Sequence, residues 1–255
     1  MRDFTIGAYR QYLQAIKASY TKILCFVDFF TLANPPDAFI ILRHDIDRKP
    51  NNALKMAMLE RDMGIRSTYY FRTKPHVFVP ETISRIASAG HEIGYHYESL
   101  SDAKGDHQTA LRDFEKNLEK LRKLAPIRTI SMHGSPMSPH DNRDLWANYD
   151  NKAYLKNSLE IYGEVYLDIN YSDIAYITDT GRNWGAEKSN RRDMVDSALT
   201  PHFKSRQDLL DCFIRGCYRK VVFQIHPERW TDSGFEYYTQ MAKDQVANFI
   251  KAIVR

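Results

Sequence analysis

From residue 38 onward the chain alternates short apolar runs with amphipathic stretches, and that alternation limits its fold more than any other feature. Strand-like runs fall at 38–44, 66–72, 91–96, 128–133, 163–168, 173–178 and 221–226. Helical periodicity covers 51–63, which Gly64 closes, and a second helix runs from Pro80 through Ala89 to Gly90. A longer amphipathic helix over 106–124 sets Leu111, Phe114, Leu118 and Leu121 at helical spacing, and a last helix begins near 235. Strands separated by helices of this length pair in parallel through right-handed crossovers, so the fold class is α/β, as a barrel or an open sheet. Residues 1–35 carry helical periodicity and read as an extra helix packed on the outside. Residues 136–160, with Pro136, Pro139 and Asn142, read as a polar loop followed by a short helix. No repeat or low-complexity linker divides the chain. One domain over 1–255 is therefore expected, with an N-terminal extension (1–35), a core (38–230) and a C-terminal helix (235–255).

The strands end in ionisable groups. The first runs Phe39-Ile40-Ile41-Leu42 and then stops in Arg43-His44-Asp45-Ile46-Asp47. Side chains alternate faces along a strand, so Asp45 and Asp47 share one face and His44 packs on the other. Two carboxylates so close repel each other unless a cation lies beside them. A divalent metal would resolve that conflict, with one carboxylate as ligand and the other as base, although a lone Asp-x-Asp also suits a solvated turn. Later strand ends add His91, His96 and Glu98, then His133, then Asp179 and Arg182, then His226. In barrels of parallel strands, catalytic groups collect at this C-terminal rim. Arg182 has the geometry to clamp a carboxylate or phosphate, and Trp184 to stack on a sugar face. Arg43 either holds Asp45 ionised or lies at a strand edge, and His91 reads as a core histidine.

Three segments, Arg-His-Asp-Ile-Asp (43–47), Gly-His-Glu-Ile-Gly-Tyr-His (90–96) and Ile-His-Pro (225–227), resemble the strongest motifs of the polysaccharide deacetylase superfamily, the NodB-homology group. With His-Gly-Ser-Pro at 133–136, they resemble a divergent WbmS-type branch associated with bacterial O-antigen gene clusters. The resemblance covers about 38–230, in the family's order. It implies a distorted (β/α)7 barrel of parallel strands with an added N-terminal helix, and a hydrolase that removes acetyl groups from sugars with a divalent metal. It makes Asp45 the general base, Asp47 and His96 metal ligands, and His226 the general acid. The segment from Asp179 to Trp184 matches a loop beside the site, so Arg43, Asp179, Arg182 and Trp184 are expected near the substrate. One departure matters: the family's second metal histidine lies four residues after the first, where this chain has Leu100. Glu98, which favours a harder ion, and His133, which favours zinc, are the candidates to complete the set. Zinc is the expected metal, with nickel, cobalt, manganese and iron as alternatives.

Composition narrows the partners. Thirty-six Lys and Arg against 32 Asp and Glu give +4, spread along the chain without the concentrated stripe that nucleic acid requires. Three cysteines (Cys25, Cys212 and Cys217) without CxxC spacing argue against a disulfide framework. No signal-peptide pattern or membrane-length apolar run is visible, so a cytoplasmic protein is expected, acting on a small nucleotide- or lipid-linked carbohydrate. The functions weighed are sugar N-deacetylation, hydrolysis of another C–N amide bond, and sugar binding without catalysis.

Overall fold

The computed structural model describes residues 2–182, 184 and 192–253. Its elements run α1 (Ile6–Ser19), β1 (Ile23–Leu24), α2 (Phe26–Thr31), β2 (Phe39–Ile46), α3 (Pro50–Asp62), β3 (Thr68–Phe71), α4 (Pro80–Ser88), β4 (Glu92–Tyr97), α5 (Ser99–Asp102), α6 (His107–Arg122), β5 (Thr129–Met132), α7 (Tyr149–Asn157), β6 (Gly163–Glu164), β7 (Ala175–Thr178), α8 (Arg206–Arg215), β8 (Lys220–Ile225) and α9 (Gly234–Ile253). Short 3-10 turns at Asn142–Trp146, Thr180–Arg182 and Pro227–Arg229 lie in the connections. Every pairing is parallel, in the order β6-β5-β4-β3-β2-β8-β7. These seven strands form the distorted (β/α)7 barrel, and among the described residues no pairing joins β6 to β7. The barrel is open on that side.

Side chains show how far the sheet curls. Arg43 on β2 reaches Ser131 on β5 at 2.5 Å and Tyr176 on β7 at 3.3 Å. In a flat sheet β5 lies three strand spacings from β2, about 14 Å, beyond the reach of one side chain. The sheet must therefore wrap around Arg43. Along β2, Phe39 and Ile41 face an inner cluster with Phe26, Tyr70 and Val222, whereas Ile40 and Leu42 pack outward on α1 and α8. The inner face changes from apolar to ionic as the strand climbs toward Asp45.

The N-terminal segment does more than the expected outer helix. Thr5 caps α1 by accepting a hydrogen bond from the Ala8 amide at 3.1 Å, and α1 buries Tyr9, Tyr12, Leu13 and Ile16. After α1, Ile23 and Leu24 pair with Ile40 and Ile41, filling the lower edge of β2 that β3 is too short to cover. Two short helices, α5 and α8, were not anticipated, and the expected strand 163–168 shrinks to Gly163–Glu164 because Tyr166 and Leu167 turn back to hydrogen-bond the Glu164 carboxylate. Among the described residues no helix is long and apolar enough to cross a membrane.

Gly94 explains one glycine of the 90–96 segment. A Cβ there would stand 2.2 Å from the Tyr70 ring and 3.2 Å from the Thr129 carbonyl oxygen. Tyr70 cannot swing away freely, because its hydroxyl donates to Thr129 Oγ1 at 2.9 Å. Gly94→Ala is expected to destabilise the protein by about 1–3 kcal/mol in urea unfolding, the usual range for overpacking a filled interior.

Candidate active site

At the C-terminal ends of the strands, a cavity of about 240 Å3 is lined by Asp45, Asp47, His96, His133, His226 and Glu228, among others. The two-residue period of each strand delivers them: Arg43 and Asp45 on β2 with Asp47 just beyond, His96 on β4, His133 after β5, and Gln224 with His226 along β8. A second cavity, about 660 Å3, adjoins the first through His133 and Pro136 and runs along Ser101, Lys104 and His140.

Asp45 is buried and gripped. Arg43, fully buried itself, donates to both its oxygens, Nε to Oδ1 at 2.9 Å and Nη2 to Oδ2 at 2.7 Å, and Gln224 Nε2 adds a bond to Oδ2 at 2.8 Å. Burial alone would push this carboxyl up; Arg43, His96 and His226 outweigh it and hold Asp45 below its ordinary value. Arg43 also donates to the Tyr166 hydroxyl at 2.9 Å, so its hydrogen-bonding capacity is spent inside the barrel. It orients Asp45 from within the barrel and is not among the residues that line the cleft.

Asp47, His96 and His133 converge. Asp47 Oδ1 lies 3.4 Å from His96 Nε2 and 3.6 Å from His133 Nε2, and it is a buried oxygen with no hydrogen-bond partner among the described residues. Both imidazoles are turned toward it by bonds at their other nitrogen. His96 Nδ1 is 2.9 Å from the Ser131 carbonyl oxygen, to which it donates, and His133 Nδ1 is 3.1 Å from Glu98 Oε2 and from Ser135 Oγ. Burial opposes ionisation of Asp47, but His133 and His96 hold its carboxyl well below the usual range. Among the described residues no group of three or more His, Cys, Asp or Glu stands in an arrangement that could itself hold a metal ion. Asp47 Oδ1 nevertheless stands from each of the two Nε2 atoms at about the separation of neighbouring ligands on a tetrahedral zinc, about 3.4 Å for bonds of about 2.0–2.1 Å. An orphaned carboxylate oxygen facing two oriented imidazoles is the arrangement that a cation completes.

Glu98 stands behind His133 rather than beside Asp47. Arg72 Nε and Nη2 each donate to it at 2.8 Å, and Lys74 is 3.7 Å away. With its oxygens so occupied, its place is to orient His133. Leu100, the departure from the family pattern, is 2% exposed and packed in the core around Phe114 and Trp146.

Asp179 and His226 form a second unit. His226 Nδ1 meets Asp179 Oδ1 at 2.6 Å, and the His226 amide donates to Oδ2 at 3.0 Å. Arg229 Nη1 at 2.9 Å and Trp230 Nε1 at 2.8 Å also donate to Asp179. Burial would raise the Asp179 carboxyl, but Arg229 and His226 pull it down to about 2. On His226, burial and Arg229 favour the neutral ring, yet Asp179 and Glu228 outweigh them and lift it to about 9. Asp179 thus accepts four hydrogen bonds and holds His226 in place. Glu228 is 2% exposed, and burial, with Asp47 adding to it against Arg229, pushes its carboxyl up to about 7.

Two other expected substrate contacts are structural. Arg182 Nε donates to Asp244 at 2.8 Å, and its guanidinium lies over the Phe4 and Tyr237 rings. Trp184 is 3% exposed, stacked on Phe4 at 5.1 Å and donating to Asp3 at 3.2 Å. The ring is packed against Phe4 and is not among the residues that line the cleft. His44 and His91 face away from the cleft, around the buried Glu60: His44 Nε2 is 2.9 Å from Glu60 Oε1, and His91 Nδ1 is 3.6 Å from Oε2.

Sequence reasoning missed Gln224 and Arg72. Gln224 and Arg72 continue the inner-facing positions of their strands and were open to detection by the same alternation that placed Asp45. Arg192, which donates to the Gly134, Ser135 and Ser138 carbonyls and so pins the loop after His133, carried no sequence signal.

No family model and no curated protein matches the chain. Among solved structures it is similar to a CE4 family pseudoenzyme from Bacillus anthracis, at 13% identity over 84% of this chain and 62% of that one, with a TM-score of 0.44. It is also similar to the catalytic domain of a peptidoglycan N-acetylglucosamine deacetylase from Eubacterium rectale (13% identity, 84% and 87% coverage, TM-score 0.47). A CE4 esterase from Streptococcus mutans gives 14% identity, 93% and 90% coverage, and a TM-score of 0.46. The chain spans less than two thirds of the length of the pseudoenzyme. What the site does is decided by its own residues.

The Arg43–Asp45 pair gives a direct test of that ionic centre. Arg43→Met would leave Asp45 buried without its counter-charge and is expected to cost about 3–5 kcal/mol in urea unfolding at neutral pH. The loss should shrink as pH falls, because a protonated Asp45 no longer needs the guanidinium.

Proposed function

We propose that this protein is a metal-dependent hydrolase that removes the acetyl group from an N-acetylated sugar. The observation that carries the reading is the orphaned Asp47 Oδ1 facing His96 Nε2 and His133 Nε2, with an ionised Asp45 and a protonated His226 in the same cleft. Asp47, His96 and His133 would hold the metal, with His133 taking the place that the family motif gives to the residue at Leu100. Two imidazoles and one carboxylate suit zinc, and after it nickel, cobalt, manganese or iron. When bound, such an ion polarises the scissile carbonyl and acidifies the attacking water.

The chain's own groups move the protons. Asp45, held ionised by Arg43 and Gln224, takes the proton from the attacking water at a carboxylate oxygen. Asp179 keeps the proton on His226 Nδ1 and the ring cationic, so Nε2 has a proton to give to the leaving nitrogen as the C–N bond breaks. The cleft admits a sugar ring, and the adjoining cavity, with Lys104 on its wall, gives room for a linked group. A nucleotide- or lipid-linked precursor of a surface polysaccharide is the substrate class that we propose, in keeping with the O-antigen-associated branch that the motifs resemble.

Elemental mass spectrometry of the purified protein is expected to find about one divalent ion per chain. Asp47→Ala and His133→Ala should lose it. Glu98→Ala should keep it with affinity lowered by about 10- to 100-fold, the effect of removing a partner that orients a ligand. Asp45→Asn should retain metal yet fail to release acetate from UDP-N-acetylglucosamine or N-acetylglucosamine oligomers. A wild type that takes up no metal after reconstitution refutes the hydrolase and favours a sugar-binding protein.

The pH profile tests the acid. His226 must be protonated to act, and its ring has been lifted to about 9, so turnover should fall as pH rises through that value. Asp179→Asn removes the negative charge that raises His226, so the alkaline limb should move to lower pH. An unmoved limb in that variant would remove His226 from the role of acid.

A further inference from the structure

Glu228 has no task in the reaction as derived, and its surroundings are unusual. It follows His226 by two residues, on the 3-10 turn Pro227–Arg229. That turn is rigidly held. The Asn52 side-chain amide donates to the Pro227 carbonyl at 3.4 Å and to the Trp230 carbonyl at 3.3 Å, and the His226 amide and Trp230 indole on either side are bound to Asp179. Glu228 is only 2% exposed, yet its Oε2 has no hydrogen-bond partner among the described residues, and the side chain lines the cleft that holds Asp47 and His226. The neighbouring buried carboxylates are saturated by comparison: Asp45 accepts three hydrogen bonds and Asp179 four.

A buried carboxylate oxygen without a donor costs stability, and such costs concentrate where a ligand supplies the missing group. A sugar carries donors in abundance. Its ring hydroxyls and its acetamido N–H are oriented by the ring, and carboxylates form short, charge-assisted bonds to them. The geometry points to Glu228 as a substrate-binding residue, whose free oxygen accepts a hydrogen bond from a hydroxyl or the amide N–H of the acetylated sugar on the side of the cleft where His226 meets the leaving nitrogen. This rests on the deacetylase reading of the same cleft. It adds a requirement: the substrate carries a donor next to the scissile bond, so a simple acetyl ester lacking one gains nothing from Glu228.

The test uses the zinc-loaded full chain and four readouts: zinc content, Tm, acetate release, and calorimetric binding of UDP-N-acetylglucosamine and UDP-N-acetylgalactosamine. Glu228→Met keeps the volume and removes the acceptor; Glu228→Gln keeps an acceptor and removes the charge. Glu228→Met should weaken binding of the better probe by about tenfold or more, the weight of one charge-assisted bond, with zinc unchanged and Tm unchanged or raised. Glu228→Gln should fall between it and the wild type. A lowered Tm in both variants would make the carboxylate a structural element and overturn the inference. Zinc loss would make it a metal ligand and overturn it too, as would equal binding by variant and wild type. A wild type that binds neither probe also overturns it, while its zinc content reports separately on the metal site. Binding that depends on Glu228 without any acetate release would leave this inference standing and refute the deacetylase.

Discussion

The bidentate pair between Arg43 and Asp45 is the constraint on which the rest of the molecule turns. Both groups are buried on one strand two residues apart, and Arg43 reaches β5, β7 and the segment after β6 as well. The guanidinium thus draws together strands from both sides of β2 and supplies the counter-charge for the carboxylate that faces the cleft. Taking the two charges out of water is costly, and their attraction recovers that only because the remaining donors of Arg43 also find oxygens. A well-packed apolar pair would serve stability at least as well. What the ionic pair adds is a carboxylate that stays charged in a closed interior, which is the property a proton acceptor needs.

Asp45 and Asp47 in the cleft and Asp179 behind it are told apart by their neighbours alone. Asp45 has a guanidinium and a side-chain amide, and stays ionised with its oxygens directed. Asp179 has four donors and is held down to about 2, so it acts only through the ring it holds. Asp47 has two imidazoles and, among the described residues, no hydrogen bond to its inner oxygen, the oxygen that the proposed metal would take. The chemistry of each follows from its count of donors rather than from its residue type. The same holds for the histidines. His96 and His133 turn Nε2 toward Asp47 because Nδ1 is bonded behind them, and His44 and His91 are drawn to Glu60 on the reverse of the sheet.

Much of this was legible from alternation along the chain. The period of two placed Asp45 and Asp47 on one face and His44 on the other, and a mixture of strands and helices at this spacing allowed only parallel pairing. Strand bounds were legible to within a residue or two where both faces are buried, as in β2 and β8, and poorly where Glu164 recruits three backbone amides and ends β6 early. The site was harder to read because its organisation lies across strands. That Glu98 faces Arg72 and His133 depends on the register of β3 against β4, which no single strand encodes. Arg182 and Trp184 are hard to place from sequence because a residue suited to clamp or stack is equally suited to close a core. Their partners, Asp244, Phe4 and Asp3, come from the two ends of the chain.

Those distant partners tie the N-terminal extension to the chemistry. Phe4 lies against Trp184 and Trp230, and its carbonyl accepts a hydrogen bond from the Thr231 amide at 3.1 Å. Trp230 in turn donates to Asp179, which positions His226. A continuous set of contacts therefore runs from Phe4, just before α1, to the acid of the proposed reaction. The extension is not a decoration on a finished barrel. Its aromatic face completes the wall from which His226 and Glu228 are presented, and the position of that wall relative to Asp47 sets the width of the cleft. A group that must deliver a proton within hydrogen-bond reach cannot tolerate a shift of about an ångström in that wall. Packing at the start of the chain is, on this argument, part of what fixes the geometry at the site.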